Sequence, residues 1–214
     1  EKNDVVVMGS GKRGLNPATR TLFLGNSGTS MRIMTGILAG QCFTSVLTGD
    51  ESLSKRPMSR VIEPLRLMGA DVESVSGGYA PIVIGGKNTS LNSINYVIPV
   101  ASAQVKSAVL CAGLYATGET VVTEPFQSRD HTERMLEYLE ADIKRNGRTT
   151  IISDKKELKG KDISIPGDIS SAAFFMVGAL ILEGSEIVLK NVGINPTRRG
   201  IIDVLMRMGA SIEL

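Results

Sequence analysis

Runs of apolar and small residues that end in glycine alternate along the chain with short β-branched runs. Glycine is a common residue at the C-terminal end of a helix, and β-branched residues are typical of strands. The pattern therefore predicts three helices, each followed by a strand. The helices are residues 26–40, 102–118 and 168–184, and the strands are residues 45–48, 120–123 and 186–189.

A second motif recurs after each of these strands. When Ala70, Ala141 and Ala210 are aligned, the spacings are 71 and 69 residues, and each motif ends a predicted helix and turns into a strand. A fixed spacing of this kind is the signature of a repeated supersecondary unit. The sequence thus predicts an α/β fold built from repeated βαβαββ units of about 70 residues.

Two hairpins close the predicted units. Residues 72–84 are interrupted by Gly77-Gly78 and residues 143–152 by Asn146-Gly147, and both pairs are typical hairpin turns. The nearly complete units are residues 17–86 and 92–153.

The ends of the chain and one charged stretch set the expected domain limits. Residues 4–8 resemble the last strand of a preceding unit, and a third unit begins near Lys161 without its hairpin, so we expect a piece of a longer protein. The charged residues 154–162 read as a solvated linker. We therefore predict a first lobe over residues 1–160 and the start of a second over residues 161–214.

Composition excludes several classes of function. With 24 basic and 22 acidic residues among 214, the chain lacks the positive charge of a nucleic-acid-binding protein. No apolar run reaches the ~18 residues of a membrane span. A single histidine, His131, excludes a multi-histidine metal site. Cys42 and Cys111 lie in apolar stretches, so we expect buried free thiols and a cytoplasmic protein.

The first helix of each unit begins differently. Residues 25–30 and 100–104 offer neutral caps and small residues, so an anion could approach the free backbone N–H groups. In the third copy Asp168 supplies its own carboxylate as cap. The sequence leaves two interpretations open. Either all three helices begin with ordinary N-caps, or the helix starts of the first two repeat units are anion-binding sites.

Arginine stands near the predicted start of each second helix, at Arg56, Arg129 and Arg198. A cation there opposes the helix dipole at a cost of ~0.3–1 kcal/mol. Either a bound anion or a local carboxylate could offset this cost, and Glu51 and Asp130 are the nearest carboxylates in sequence.

Two polar residues interrupt the second apolar helix near its start. Gln104 and Lys106 either face an anion site or form a plain solvent-facing pair. Residues 130–133 have the spacing of a capping box, which would make His131 structural.

Four ordered motifs carry a resemblance to a known family. Residues 22–32, 47–58, 99–108 and 128–133 resemble the 5-enolpyruvylshikimate-3-phosphate synthase family. The Ser102-Ala103-Gln104 and Arg129-to-Glu133 segments resemble its class II branch.

This resemblance implies a two-lobed enolpyruvyl transferase fold, an inside-out α/β barrel with three units in each lobe and substrates in the cleft. It implies transfer of the enolpyruvyl group of phosphoenolpyruvate to the 5-hydroxyl of shikimate 3-phosphate, in aromatic amino acid (chorismate) biosynthesis. The reaction passes through a tetrahedral intermediate and uses no metal or organic cofactor. We expect a monomer when full length, with no nucleic-acid or membrane partner.

The resemblance also implies substrate-binding residues. Asn26 and Gly28 would lie against phosphoenolpyruvate, Arg56 on its anionic groups, and Gln104 within reach of both substrates.

For the phosphate of shikimate 3-phosphate, the resemblance implies a cradle formed by Ser102, Ala103 and Ser128, with Arg129 as a further candidate. His131 stands where another branch has tyrosine, so it receives no role.

Family members carry their proton-transfer residues in the second lobe, which we expect beyond Leu214, so the chain alone should bind substrates without turning them over. The sister UDP-N-acetylglucosamine enolpyruvyl transferase is an alternative, but its reactive cysteine has no counterpart in residues 49–55. A non-catalytic phosphate-binding fragment is the other alternative.

Overall fold

The computed structural model describes residues 4–86 and 90–214. The chain divides into two compact units, Glu1–Gly160 and Lys161–Leu214. This division falls within the charged residues 154–162; the assignment of the two units to two lobes stays a prediction.

The first half of unit 1 contains one complete repeat. Its elements are β1 (Leu22–Phe23), α1 (Gly28–Leu38), β2 (Ser45–Thr48), α2 (Glu51–Ser54), α3 (Ser59–Leu67), β3 (Val72–Val75) and β4 (Tyr79–Ile84). The sheet order is β1-β2-β4-β3, with β1 parallel to β2 and the remaining pairs antiparallel. The hairpin predicted around Gly77-Gly78 is therefore confirmed.

The second half of unit 1 repeats this arrangement. Its elements are β5 (Leu91–Asn92), β6 (Asn95–Val97), α4 (Ala103–Gly113), β7 (Ala116–Thr117), β8 (Glu119–Thr123), α5 (His131–Tyr138), β9 (Asp142–Asn146) and β10 (Thr149–Ser153). Its main sheet has the order β6-β8-β10-β9, again with one parallel pair followed by two antiparallel pairs. The equal topology confirms the sequence repeat and its second hairpin.

Helices α1 and α4 pack closely and run in the same direction. Gln104 at the start of α4 contacts residues of the first turns of α1, and a Cβ built on Gly36 would lie 2.2 Å from the carbonyl oxygen of Ala108. Just after both helices, a Cβ on Gly40 would lie 2.2 Å from the ring of Tyr115. Glycine at these points allows the two backbones to approach, so the N-terminal ends of both helices lie side by side.

The core around these helices is mainly aliphatic, in a chain with only 4% aromatic residues. Fully buried side chains include Met31, Leu47, Leu65, Leu110 and Ile152.

Unit 2 contains α6 (Ile169–Leu180), α7 (Gly200–Arg207) and an isolated bridge between Gly167 and Val192. The predicted strand at residues 186–189 is wrong, because these residues have no regular structure. Within the described part of unit 2 no sheet is available to pair with them. Several apolar side chains stay exposed, including Phe174 and Ile181.

The strand predicted at residues 4–8 is also wrong. These residues form no strand, and Val5, Val6, Val7 and Met8 are each more than 80% exposed. A strand requires a hydrogen-bonding partner, and no strand in the described ranges pairs with this segment.

Across residues 4–86 and 90–214, none of the helices combines the length and apolar character that crossing a bilayer requires.

The close approach of α1 and α4 predicts a large penalty for Gly36→Ala. The added methyl group must push against the backbone of Ala108, which cannot move without separating the helices. We expect the free energy of unfolding to fall by about 1–3 kcal/mol, measured by urea denaturation. Leu67→Ala, which shortens a 65% exposed side chain of α3, is the control and should change stability by less than about 0.5 kcal/mol. Equal stabilities of the two variants would contradict the packing described above.

Candidate functional site

The N-terminal ends of α1 and α4 both carry neutral caps, as predicted. The Ser27 hydroxyl accepts a hydrogen bond from the Ser30 N–H at 3.1 Å, and the Ser102 hydroxyl accepts one from the Val105 N–H at 3.4 Å. Each helix therefore presents its positive dipole end without a carboxylate cap.

The third copy behaves differently, which confirms the comparison drawn from sequence. Asp168 caps α6 by accepting the Ser171 N–H at 3.2 Å, and Arg198 pairs with the same carboxylate at 3.3 Å. Hydrogen bonding, first from the Ser170 N–H, holds the pKa of Asp168 below its usual value. The carboxylate of Asp168 therefore already occupies the N-terminal end of α6, where an anionic ligand would otherwise bind.

Arg56 lies beside the first turn of α1. The sequence placed Arg56 near the start of the second helix. In the structure it lies in the short connection between α2 and α3, two residues before Met58, the N-cap of α3. Its guanidinium donates to the Asn26 side-chain oxygen, to the Asn26 carbonyl at 3.3 Å and to the Ser52 hydroxyl at 3.3 Å. Glu51 does not neutralise it, since Glu51 pairs with Lys55 at 2.5 Å.

Asn26 is held from its other side by Asp50. The Asn26 amide donates to Asp50 Oδ2 at 2.8 Å, while Asp50 Oδ1 caps α2 by accepting the Leu53 N–H at 2.7 Å. The hydrogen bond from the Leu53 N–H, and to a smaller extent that from Asn26, lowers the pKa of Asp50. The loop before α1 is therefore fixed to the loop before α2.

Arg32 is a site residue that the sequence reasoning missed. It lies one turn after Gly28 and donates from Nη1 to Gln104 Oε1 at 2.6 Å and to the Gly28 carbonyl at 3.3 Å. Nη2 donates to the Pro57 carbonyl at 3.2 Å. Its position four residues after Gly28 could have indicated this role, because residues i and i+4 are neighbours on a helix surface. Since Gly28 has no side chain, the Arg32 guanidinium has room to lie against it.

Three positive charges gather at this point. Burial, followed by the positive charges of Arg56 and Arg60, lowers the pKa of Arg32. In the described part of the chain, no carboxylate lies within 4.0 Å of any of these three guanidinium groups. The charge of Arg56 contributes to the lowered pKa of Asp50, although the two charged groups are more than 4.0 Å apart. Three guanidinium groups held together without a paired carboxylate favour binding of an anion.

Gln104 joins α4 to this cluster, because its amide also donates to the Thr29 hydroxyl at 2.8 Å. A pocket of about 210 Å³ opens beside it. The pocket is lined by Thr29, Ile33, Ala103, Gln104, Ser107, Arg129, His131 and Thr132.

Arg129 is exposed in this pocket. Within residues 4–86 and 90–214, its guanidinium has no hydrogen-bond or ion-pair partner. The sequence offered Asp130 as its counter-ion, but Asp130 accepts from Arg134 and Arg145 at 2.8 Å each. The capping box is wrong for the same region, since the Asp130 side chain does not cap α5 and Glu133 pairs with Lys106.

Lys106 departs from both sequence interpretations. Its side chain is 2% exposed and points neither to solvent nor to an anion site. Its ammonium group pairs with Glu124 at 2.7 Å and Glu133 at 2.6 Å. These two carboxylates, distant in sequence, were not recognisable from the helix pattern.

Of the two thiols, only Cys111 is buried, and burial raises its pKa to about 12. Cys42 is exposed, so its predicted burial is wrong; it follows the end of α1 and lies outside the α1–α4 contact.

The predicted site residues therefore fall into three sets. Asn26, Gly28, Arg56 and Gln104 are joined, directly or through Arg32, by hydrogen bonds and close contact. Ala103, Gln104 and Arg129 line the pocket, and Ser102 caps the helix beside it. Ser128 is half-buried and donates to Glu124; among the described residues it makes no hydrogen bond to the other candidates.

The two α/β repeats, each with one parallel strand pair and a closing hairpin, match the repeated units expected of the enolpyruvyl transferase fold. Two solved structures of the EPSP synthase from Acinetobacter baumannii superpose on the chain with a TM-score of 0.88 and 53% sequence identity. They cover 95% of this chain, which covers 46% of theirs. The predicted fold class is confirmed.

The family model described as EPSP synthase (3-phosphoshikimate 1-carboxyvinyltransferase) matches residues 1–214, and the chain belongs to this family. Among proteins named 3-phosphoshikimate 1-carboxyvinyltransferase, that of Geotalea daltonii is 59% identical over 209 residues, 97% of this chain and 48% of the relative. That of Coxiella burnetii is 52% identical over all 214 residues. The chain spans about half the length of these curated relatives.

The closeness of Arg32 and Arg56 to Gly28 predicts the effect of Gly28→Ala. A Cβ there would lie 2.8 Å from Arg32 Nη1 and 3.4 Å from Arg56 Nη1, so the methyl group displaces the cationic cluster. We expect phosphate affinity, measured by isothermal titration calorimetry, to fall about ten-fold, the loss of one hydrogen bond to a charged group. Gly178→Ala on α6, where nothing lies within 4 Å, is the control. Unchanged affinity in Gly28→Ala would show that this cluster does not contribute to the measured phosphate binding.

Proposed function

We propose that the protein carrying this chain transfers the enolpyruvyl group of phosphoenolpyruvate to the 5-hydroxyl of shikimate 3-phosphate. The observation that supports this most strongly is the group of Arg32, Arg56 and Gln104 at the paired starts of α1 and α4. It lies in a chain of the EPSP synthase family, and among the described residues no carboxylate comes within 4.0 Å of Arg32 or Arg56.

Phosphoenolpyruvate fits this cluster by charge. It carries a phosphate and a carboxylate, and guanidinium groups bind both through paired, charge-assisted hydrogen bonds. Arg56 would hold the anionic groups, the Gly28 backbone would allow close approach, and Asn26 would fix Arg56. Gln104, bonded to Arg32, would lie between the two substrates.

Shikimate 3-phosphate fits the neighbouring pocket. Its phosphate would lie at the start of α4 against Ser102 and Ala103, with Ser128 and Arg129 on the other side. Helix N–H groups and an exposed guanidinium without a carboxylate partner in the described ranges favour a dianion here.

The chemistry requires two groups to be held in register. The 5-hydroxyl loses its proton and its oxygen bonds to C2 of phosphoenolpyruvate, while the C3 methylene of phosphoenolpyruvate gains a proton. The tetrahedral intermediate then loses phosphate from C2 and a proton from C3, which restores the double bond. Holding both reactants together can contribute ~7–11 kcal/mol to lowering the barrier. We propose that residues of this chain bind and orient the substrates, and we assign the proton transfers to none of them.

We further propose that the whole protein acts as a cytoplasmic monomer on these small molecules, without a nucleic-acid or membrane partner. The small formal net charge of +2 and the two free cysteines support this setting.

Arg56→Ala in the full-length enzyme tests the assignment of phosphoenolpyruvate. We expect the KM for phosphoenolpyruvate to rise by about ten- to a hundred-fold, because hydrogen bonds to a charged group are lost. Lys55→Ala is the matched control, since it removes the adjacent cation, which is exposed and pairs with Glu51. Steady-state kinetics with equal parameters for wild type and Arg56→Ala would exclude Arg56 from the site.

A further inference from the structure

An ammonium group inside unit 1 holds two carboxylates. Lys106 Nζ lies 2.7 Å from Glu124 Oε2 and 2.6 Å from Glu133 Oε1, and all three side chains are at most 4% exposed. Other charged or titratable residues on the surrounding segments include Arg129, Asp130, His131, Arg134, Arg145 and Arg148. In the described structure, none of the basic groups among them comes within 4.0 Å of Glu124 or Glu133.

The two carboxylates differ at their second oxygen. Glu124 Oε1 accepts a hydrogen bond from the Ser128 hydroxyl, whereas Glu133 Oε2 is buried without a hydrogen-bond partner in the described residues. Ser128 thus supplies the hydrogen bond to the carboxylate oxygen of Glu124 that Lys106 does not contact. Without it, one ammonium group would support two incompletely satisfied buried carboxylates, which is costly in a medium of low polarity.

A serine hydroxyl has a single proton to donate. In Ser128 that proton is directed to Glu124, so the oxygen offers only lone pairs to any other partner. A phosphate dianion also offers only acceptors. It can receive a hydrogen bond from Ser128 only if the bond to Glu124 breaks and leaves a buried carboxylate oxygen without a donor.

We propose that Glu124 is a positioning residue that sets the hydrogen-bonding role of Ser128 in the phosphate cradle. It keeps Ser128 an acceptor, so that this serine adds almost nothing to the affinity for a phosphate dianion, and binding depends on α4 and Arg129. Lys106 holds Glu124 in place for this task. The inference rests on the proposed function, in which Ser128 borders the phosphate of shikimate 3-phosphate.

Glu124→Gln and Glu133→Gln form a matched pair of variants. Each removes one negative charge from the same ammonium group at the same burial and with the same side-chain size, but only Glu124 contacts Ser128. In Glu124→Gln the amide oxygen can accept from Lys106 while the amide nitrogen donates to the Ser128 oxygen. The serine proton is then released for the phosphate.

The experiment is calorimetric titration of the full-length protein with shikimate 3-phosphate. We expect Glu124→Gln to bind it about ten-fold more tightly than Glu133→Gln does, the gain of one hydrogen bond to a charged group. In the Ser128→Ala background the difference between the two variants should vanish, because the effect passes through that hydroxyl. The KM for phosphoenolpyruvate should be the same in both variants. A general disturbance of the structure would instead change this KM.

Equal affinities of the two variants, weaker binding by Glu124→Gln, or a difference that persists with Ser128→Ala would each overturn the inference. Should Glu124→Gln fail to fold in a thermal melt, Ser128→Ala alone decides. It should weaken binding by less than about three-fold, and a larger loss overturns the inference. A wild-type protein that does not bind shikimate 3-phosphate overturns the proposed function, and the inference with it. Wild-type binding with equal variants overturns the inference alone.

Discussion

The close, parallel packing of α1 against α4 is the constraint on which the candidate site depends. Gly36 and Gly40 let the helix backbone approach Ala108 and Tyr115, and the two N-terminal ends then lie side by side. Only in this arrangement can Arg32 and Thr29 of the first repeat reach Gln104 of the second. The two repeats thus place two positive helix ends on one surface, whereas a single repeat would provide only one.

Charges are used in two opposite ways within unit 1. The guanidinium groups of Arg32 and Arg56 are held by neutral oxygens and have no carboxylate within 4.0 Å among the described residues, so their charge is available to a ligand. Lys106, a few residues along α4, is enclosed by two carboxylates and unavailable. Burial of that ammonium group stabilises the protein only while both partners remain, because removing one partner of a buried ion pair is strongly destabilising.

Much of the fold could be predicted from the sequence, because its signals are local. Glycine-terminated apolar runs and turn pairs such as Gly77-Gly78 act over a few residues, and their 70-residue recurrence revealed the repeat. The failures share one physical cause. The strands predicted at residues 4–8 and 186–189 require partner strands that the described structure does not supply, and no local pattern reports a missing partner.

The site was predictable where a residue's role follows from its place on one element. The neutral cap of Ser102 and the carboxylate cap of Asp168 are of this kind. The role of Arg32 and the burial of Lys106 are not, since both are decided by residues roughly 20 to 70 positions away in sequence. Helical spacing alone placed Lys106 beside Gln104 on the surface, and only tertiary packing shows that it turns inward.

The most direct test of this account is an NMR titration of the isotope-labelled full-length protein with shikimate 3-phosphate. If the neutral start of α4 is an anion site and the carboxylate-capped start of α6 is not, the backbone amides of Ser102, Ala103 and Gln104 should shift. Those of Ile169, Ser170 and Ser171 should stay in place. Shifts confined to residues 169–171, or spread equally over both helix starts, would contradict the claim that the cap chemistry of each repeat decides where the anion binds.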